Sequence, residues 1–226
     1  MEMLPTGDTS GGLIPIISTM HTSVESQVPK APPSLVGAIE AGGTKFVCAI
    51  GVGPDAGLRA RQQFPTGDNP ERLLADVVTW FSQQQERHGK LAAIGVASFG
   101  PVDLDEQSAT HGFITTTPKP GWRNFDLLGP LRRAFPGVPL AFDTDVNGAA
   151  LGESRWGAAQ GLEDFLYITV GTGIGGGGMV RGRLLHGLVH PEMGHMGLPQ
   201  IEGDDFAGVC PFHGRCWEGQ IGRAHV

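Results

Sequence analysis

The chain has 226 residues, of which 40% are apolar, so it is long enough to bury one large core or two small ones. Its 16 basic and 23 acidic residues give a net charge of -7, which leaves no broad cationic surface for a nucleic-acid backbone. No apolar run approaches the roughly 20 residues that cross a bilayer. We therefore expect a cytoplasmic protein without nucleic-acid or membrane partners.

Glycine is unusually frequent, with 36 copies, and the copies are clustered. Clustered glycine in a foldable sequence indicates tight turns and close approach of the backbone to a ligand. Residues 1–33 are rich in Pro, Ser, Thr and Gly without a sustained period. We predict that they form a disordered leader and that the ordered chain begins near Ser34.

The first half of the ordered chain has the pattern of a mixed α/β unit. Strands at Leu35–Glu40 and Lys45–Gly51 are joined by a Gly-Gly hairpin turn at residues 41–44. Asn69 and Pro70 are typical of a helix start, as N-cap and first helical residue. The other predicted elements are the strand Leu58–Phe64, the helix from Pro70 to about Arg87, the strand Ala92–Ala97, the helix Phe125–Phe135, the strand Val138–Phe142 and the helix Val146–Arg155.

The strand–turn–strand pattern returns after residue 160. We predict a strand at Asp164–Val170, a glycine turn at Gly171–Gly178, a return strand at Met179–Arg181 and a candidate third strand at Arg183–His186. Two hairpins that each carry a Gly-Thr turn indicate a duplicated unit. The last residues, 221–226, can be encoded by a nucleotide string that resembles a common sequencing adapter. We predict a foreign tail there, with a genuine short C-terminus as the alternative.

Both glycine turns are candidates for phosphate binding. At residues 42–44 the sequence Gly-Gly-Thr follows a strand, so backbone N–H groups and a hydroxyl could converge on an anion. An ordinary Gly-Gly hairpin gives the same pattern. Residues 171–178 contain six glycines, each of which weakens a strand by up to about 1 kcal/mol relative to Ala. We explain that cost by a polyphosphate lying against bare backbone. No helix follows, which argues against a dinucleotide site.

Two aspartates, Asp143 and Asp145, lie between the turns, where a predicted strand ends and a helix begins. A carboxylate there could accept the proton of an attacking hydroxyl in phosphoryl transfer. The alternative is a helix N-cap, which contributes about 1 kcal/mol. We assign the catalytic role to Asp145, and one of the two aspartates could be only a cap.

Four residues have the ligand types of a structural zinc site: His195, Cys210, His213 and Cys216. Three of them fall at three-residue intervals, and two thiolates with two imidazoles favour tetrahedral Zn²⁺. His186 and His190 are alternative fourth ligands. The third cysteine, Cys48, is expected in the core. Candidate polar contacts to a sugar are Glu192, Glu218 and Asn124, for which surface acids and a helix cap are the ordinary explanations.

The combination of GAIEAGGTKFVCAIG, GVASFGPVDLD, TPKPGWRNFDL, DTDVNGAALGE, YITVGTGIGGG, HPEMGH and CPFHGRCWEG resembles the ROK family of repressors, open reading frames and sugar kinases. Within that family the Cys-x-x-His pattern resembles the bacterial fructokinases, since glucokinases tend to carry Cys-x-Cys-Gly. The resemblance implies a two-domain ATPase fold of the actin/hexokinase/Hsp70 (ribonuclease H-like) type. Residues 34–146 would form the small α/β domain and residues 147–220 the start of a larger domain that holds the zinc site. That second domain would be truncated at its C-terminal end, so that the adenosine pocket lies beyond this chain.

The resemblance also implies the reaction and its residues. It implies ATP-dependent phosphorylation of a hexose, with D-fructose giving fructose 6-phosphate, by a homodimer that uses Mg²⁺ and structural Zn²⁺. The catalytic base would be Asp145, also in contact with the sugar, and Glu40 would hold Mg²⁺ through water, where many relatives have Asp. Phosphate contacts would come from Gly42, Gly43, Thr44, Lys45, Gly171, Thr172 and Gly173. Sugar contacts would come from Asn124, Glu192, His195 and Glu218, and the zinc ligands would be His195, Cys210, His213 and Cys216.

Three alternatives stay open at this point. The sugar could be glucose or mannose, because hydroxyl stereochemistry is not readable from sequence. The protein could be a sugar-responsive transcription regulator, although residues 1–33 lack the pattern of a helix-turn-helix. The polypeptide could also be an inactive fragment that binds zinc and sugar only.

Overall fold

The computed structural model describes residues 34–53, 57–171, 173–187 and 190–220. The predicted leader at residues 1–33, the predicted foreign tail at residues 221–226 and the candidate phosphate contact Thr172 lie outside the described residues. Among the helices of the described part, none is long and apolar enough to cross a membrane.

The first ten elements comprise the five strands of the larger main sheet, two short strands that pair with each other, and three helices. In chain order they are β1 (Val36–Ala41), β2 (Lys45–Gly51), β3 (Leu58–Pro65), α1 (Pro70–His88), β4 (Ala93–Ser98), β5 (Phe113–Ile114), β6 (Phe125–Asp126), α2 (Leu128–Ala134), β7 (Leu140–Thr144) and α3 (Asp145–Trp156). The five-stranded sheet has the order β3-β2-β1-β4-β7. The pairs β3·β2 and β2·β1 are antiparallel, whereas β1·β4 and β4·β7 are parallel. The carboxyl ends of β1, β4 and β7 therefore share one edge of the sheet.

Helix α1 covers one face of this sheet. Asn69 caps the helix, since its side chain accepts a hydrogen bond from the Arg72 N–H at 3.0 Å. The buried face of α1 includes Leu74, Val77 and Phe81, none more than 1% exposed. The fit against the sheet is close, because a Cβ on Gly37 of β1 would lie 2.9 Å from a ring carbon of Phe81. This apolar core holds the parallel strand ends in place.

Several predicted boundaries differ from the structure, and those near the two aspartates matter most for the site. The predicted helix Phe125–Phe135 begins as strand β6, which pairs with β5, and becomes helical only at Leu128. Asn124 precedes β6 at φ 54°, so it does not cap the helix as one explanation had it; instead Asp126 accepts the Gly129 N–H at 2.7 Å. Strand β7 lies two residues later than predicted, and α3 starts one residue earlier, at Asp145.

The second main sheet has the order β10-β9-β8. Its elements and those that follow are β8 (Phe165–Val170), β9 (Ile174–Val180), β10 (Arg183–Leu184), a 3₁₀ turn at Met193–His195 and α4 (Trp217–Gln220). Like β1-β2-β3, it is an antiparallel meander whose first connection is a glycine turn. The two meanders have the form that the predicted duplicated unit requires.

The prediction of a glycine turn at Gly171–Gly178 is wrong for most of its length. Val170 pairs with Ile174, so the turn comprises only residues 171–173, and Gly175–Gly178 belong to β9. A Cβ on Gly177 would lie 2.4 Å from the Val146 carbonyl oxygen of α3, and one on Gly176 would lie 2.8 Å from Met193. For these four strand glycines, close packing against α3, β8 and the 3₁₀ turn is a sufficient reason, and a phosphate need not be invoked.

Candidate functional site

The first glycine turn is held by hydrogen bonds from Thr66 and is exposed to solvent on its other side. Thr66 donates its hydroxyl to the Gly42 carbonyl at 2.7 Å and its backbone N–H to the Thr44 carbonyl at 3.0 Å. Gly43, Thr44 and Lys45 are exposed, and a Cβ on Gly43 would meet no atom within 4 Å. The turn therefore presents backbone to solvent from a rigid base, which suits an anion.

The second glycine turn contacts a buried carboxylate. Gly171 is exposed with open space around it, and its N–H donates to the Gly173 carbonyl at 2.8 Å. Glu218 Oε2 accepts the Ile174 N–H at 2.8 Å, and a Cβ on Gly173 would lie only 2.6 Å from the same oxygen. Glu218 is 8% exposed, so it connects this turn to the chain segment that carries the metal-ligand candidates.

Neither of the two aspartates is a helix cap. The cap of α3 is Thr144, whose hydroxyl accepts the Asn147 N–H at 3.2 Å. Asp143 Oδ1 accepts the Thr144 N–H at 2.7 Å and an Asn147 amide hydrogen at 2.9 Å. The other oxygen of Asp143 lies 2.7 Å from His186 Nε2, so His186 pairs with a carboxylate and does not join the metal-ligand candidates.

Asp145 begins α3 at the sheet edge that the carboxyl ends of the parallel strands share. Burial raises the pKa of its carboxyl to about 6 from the ordinary 3.8, and the negative charges of Glu192 and Glu40 act in the same direction, against a hydrogen bond from the Val146 N–H. The structure thus brings three predicted site carboxylates within electrostatic reach of one another. A carboxylate of this basicity is suited to accept a proton near neutral pH.

The four predicted metal ligands form one cluster. The candidate ligand atoms of His195, Cys210, His213 and Cys216 all lie within 4.8 Å of one another. His195 Nδ1 is 3.5 Å from Cys216 Sγ and 3.7 Å from Cys210 Sγ, and His213 Nδ1 is 3.8 Å from Cys210 Sγ. With Zn–S near 2.3 Å and Zn–N near 2.05 Å, a tetrahedral site has S···N edges of about 3.6 Å. Both cysteines are free thiols, so this donor set fits a zinc ion.

The His195 ring also faces Glu218. Its Nε2 lies 3.9 Å from Glu218 Oε1, on the side of the ring opposite the metal-facing Nδ1. A carboxylate behind a ligating histidine fixes the orientation of the ring. Glu218 therefore has the Ile174 N–H on one oxygen and the His195 ring on the other, and it links the glycine turn with the metal cluster.

Three predicted sugar contacts line one cavity of about 380 Å³. They are Glu192, His195 and Glu218, and the remaining lining residues are Gly100, Pro101, Thr116, Pro118, Phe212 and His213. The wall is mixed, with carboxylates and imidazoles facing proline and phenylalanine, and the volume suits a small ligand. Cavities of about 820 and 550 Å³ elsewhere on the described surface contain none of the predicted site residues.

Two predicted sugar contacts, Asn124 and Asp145, do not line this cavity. Asn124 is exposed, and its backbone N–H donates to the Thr115 carbonyl at 2.9 Å, which places it beside the cavity segment but not in its lining. Asp145 is also outside the lining, although it is electrostatically coupled to Glu192.

Several residues of the site lie outside the predicted set. Phe212, between two metal ligands, and Pro101, in a Gly-Pro turn, both line the cavity. The Gly-Pro dipeptide is a turn signal that could have drawn attention to this segment. His190 was considered only as a zinc ligand; it is buried and contacts Val102 and Glu192 instead.

The chain is similar to known proteins over most of its length. A family model described as the ROK family matches residues 36–224. A protein from Bacillus subtilis described as a putative fructokinase is 50% identical over 82% of this chain and 59% of its own length. A fructokinase from Zymomonas mobilis is 47% identical over 84% of this chain and 63% of its own length. This chain therefore spans about three-fifths of the length of these relatives.

Solved structures agree on the fold. A ROK family glucokinase from Streptomyces griseus, in complex with glucose and AMPPNP, matches with a TM-score of 0.65 and 28% identity over 81% of this chain and 56% of that chain. The predicted α/β fold of the actin/hexokinase type is confirmed by this likeness. The predicted division into domains at residues 146 and 147 stays a prediction.

Proposed function

Because this chain belongs to the ROK family, we propose that the protein transfers a phosphoryl group from ATP to a hexose and that the hexose is D-fructose, giving fructose 6-phosphate. The names of the Bacillus and Zymomonas relatives support fructose, and the Streptomyces glucokinase, bound to glucose and AMPPNP, supports a sugar and a nucleotide as the two substrates. Since the chain spans about three-fifths of its curated relatives, the proposal concerns the whole protein of which these residues are part.

The observation that carries the proposal is the cavity of about 380 Å³ in which Glu192, His195 and Glu218 meet beside the metal-ligand cluster. A hexose has a ring of hydroxyls and an apolar face. Carboxylates accept hydrogen bonds from hydroxyls, and a rim of Phe212, Pro101 and Pro118 suits the apolar face. Asn124, adjacent to this segment, is proposed as a further sugar contact that approaches when the sugar binds.

In the proposed mechanism Asp145 accepts the proton of the attacking sugar hydroxyl. The raised pKa of about 6 leaves Asp145 mostly ionised at pH 7 and more basic than an ordinary carboxylate. The two glycine turns hold the phosphates, with Lys45 and the hydroxyl of Thr44 beside the first turn. The N–H groups of Gly42 and Gly171 donate to the carbonyls of Lys45 and Gly173, so these two glycines contribute bare backbone surface and no N–H donor. Gly42, Gly43, Gly171, Thr172 and Gly173 complete the proposed phosphate contacts.

Two metals have supporting roles in the proposal. Glu40 would hold Mg²⁺ through water, and that ion would supply positive charge at the transferring phosphoryl group. Zinc in the cluster of His195, Cys210, His213 and Cys216 is structural. Held by these four ligands, it would fix the ring of His195 and the segment 210–216, from which His195, Phe212 and His213 line the sugar cavity.

A coupled ADP-release assay tests the reaction. We expect sugar-dependent ADP release with the highest kcat/KM for fructose among fructose, mannose and glucose, measured on the complete product of the gene beside this chain. A preference for glucose or mannose replaces the fructose assignment with the alternative sugar. Turnover by the complete product, with sugar binding but no turnover by this chain, supports the inactive fragment for these residues. A complete protein that does not phosphorylate hexoses refutes the proposal.

We also propose a cytoplasmic homodimer, in keeping with the three free thiols of the chain. Light scattering coupled to size exclusion measures the mass of the complete protein, and a monomer at micromolar concentration contradicts the dimer.

A further inference from the structure

His190, beside the cavity, has a buried side chain that the proposed mechanism does not use. Its side chain is 6% exposed, whereas the side chain of Glu192, two residues later, is 51% exposed. The Gly100 backbone packs against both, since a Cβ there would lie 3.5 Å from His190 Cε1 and 3.5 Å from Glu192 Oε1. His190 therefore lies behind Glu192, between the carboxylate and residues 100–102.

One ring nitrogen of His190 lies near a backbone N–H donor, and the other lies near a carboxylate. The Val102 N–H donates to Nε2 at 3.3 Å, and a backbone N–H can only donate. Nε2 must then carry the lone pair, so that a neutral ring has its proton on Nδ1. Nδ1 lies 3.4 Å from Glu192 Oε1. The backbone of Val102 thus selects the tautomer whose proton is on Nδ1, the ring nitrogen nearer the Glu192 carboxylate.

The element that selects the tautomer is rigid. Val102 is 1% exposed and forms a β-bridge with Ile114. The preceding Pro101 carbonyl accepts the Thr115 N–H at 2.8 Å and the Thr115 hydroxyl at 3.1 Å. The same segment contributes Pro101 and Thr116 to the cavity lining. His190 consequently joins the two walls of the cavity, one at residues 100–102 and the other at residue 192.

We propose that His190 is a positioning residue that holds the Glu192 carboxylate in place for a sugar hydroxyl; this inference rests on the proposed function. A glutamate that is half exposed otherwise loses rotamer freedom when it binds a ligand. The separation of 3.4 Å is longer than a strong hydrogen bond, which leaves room for the contact to shorten when the sugar binds. The role of His190 is therefore to pre-orient the carboxylate, and it does not touch the sugar.

Two substitutions test the roles of the two ring nitrogens separately. In His190→Asn the amide occupies the place of Nδ1 and can donate to Glu192, whereas the acceptor for Val102 is lost. In His190→Gln the terminal oxygen occupies the place of Nε2 and can accept from Val102, whereas the donor to Glu192 is lost. We expect His190→Gln to raise the KM for the sugar about tenfold, the worth of one hydrogen bond to a charged group, with kcat and the KM for ATP within about twofold. His190→Asn should stay within about threefold of wild type.

A merely structural histidine gives a different pattern. In that case the two variants raise the sugar KM equally, or His190→Asn is the worse one, and either result overturns the proposal. In a Glu192→Gln background, His190→Gln should add less than about twofold, because the carboxylate that it positions is already gone. A full tenfold effect in that background also overturns it.

A measurement on the wild-type chain does not depend on variants that fold. Long-range ¹H–¹⁵N spectra should show the Nδ1–H tautomer for His190, and an Nε2–H tautomer overturns the proposal. Zinc content and the thermal midpoint, measured for each variant, show that the fold is retained. A complete wild-type protein that neither binds nor phosphorylates hexoses overturns the proposed function together with this one. Wild-type activity with no difference between the two variants overturns the role of His190 alone.

Discussion

Replacing Asp145 with asparagine should raise the free energy of unfolding at neutral pH, even though it removes the proposed catalytic base. The Asp145 carboxyl has a pKa of about 6 in the folded chain, because it is buried and faces the charges of Glu192 and Glu40. In the unfolded chain its pKa returns to the ordinary 3.8. The folded state therefore disfavours the ionised form, and asparagine, which is neutral, avoids this cost.

The size of the effect follows from the two pKa values. One pKa unit corresponds to about 1.4 kcal/mol, so the difference between about 6 and 3.8 is worth up to about 3 kcal/mol. The sign is that of a raised pKa: the contribution of the Asp145 carboxyl to stability is fully present below pH 3.8 and is lost as the pH rises through about 6. The advantage of Asp145→Asn should thus grow between pH 4 and pH 6 and stay constant above pH 7. The Val146 N–H that Asp145 Oδ1 accepts at 2.9 Å can be accepted by the amide oxygen as well.

Urea unfolding followed by tryptophan fluorescence, at several pH values from 5 to 8 without nucleotide or Mg²⁺, measures the difference. Asp143→Asn is the matched control, since Asp143 accepts from Thr144 and Asn147 and pairs with His186. That variant should lose about 1 to 2 kcal/mol at pH 7. If Asp145→Asn is no more stable than wild type at pH 8, or if its advantage does not change with pH, the explanation from burial is refuted. Retained phosphoryl transfer in Asp145→Asn refutes the assignment of the base.

Three further predictions concern the metal cluster and the glycines. Elemental analysis should find one zinc per chain, and Cys216→Ser should lower this content at least tenfold, because it removes one of four ligands. Wild-type protein that is purified without chelator and contains no zinc contradicts the metal site. With zinc bound, Ellman's reagent should titrate none of the three thiols, and after chelation it should titrate Cys210 and Cys216 only. Burial raises the pKa of the Cys48 thiol to about 12, so Cys48 should react only on unfolding, and a fast third thiol contradicts that burial. Gly177→Ala should lower the free energy of unfolding in urea by about 1 to 3 kcal/mol, since its Cβ would lie 2.4 Å from the Val146 backbone. Gly171→Ala has open space around its Cβ, so it should leave stability within about 0.5 kcal/mol of wild type and raise the KM for ATP. Equal stability losses in the two variants would contradict this distinction.

The parts of the fold that sequence predicted are those fixed by local chemistry. The alternation of β1 and β2 and the cap and spacing of α1 are properties of adjacent residues, and the structure has these elements within one or two residues of their predicted bounds. The predicted metal ligands come together for a similar reason. Three of them lie within seven residues, and only the choice of the fourth, among His186, His190 and His195, needed the fold.

The site depends on contacts that sequence spacing does not reveal. The pairing of His186 with Asp143 and of His190 with Val102 spans 43 and 88 residues. The buried contact between Glu218 and Ile174 spans 44 residues. Residues so far apart meet only when the two sheets and the 190–220 segment have packed, because each contact lies between different elements.

The glycines near residues 171–178 show most clearly what the sequence determined and what only the tertiary structure decided. Sequence alone determined that the backbone near residues 171–178 is bare, and it predicted two glycine turns, a carboxylate between them and a tetrahedral metal-ligand set. Tertiary structure alone decided what the bare backbone is for. Gly175–Gly178 admit α3, β8 and the 3₁₀ turn at close range, which leaves Gly171, before β9, as the exposed glycine. The physical reason is that a missing Cβ has the same sequence signature whether a ligand or a neighbouring helix occupies the space, and only the packing distinguishes the two.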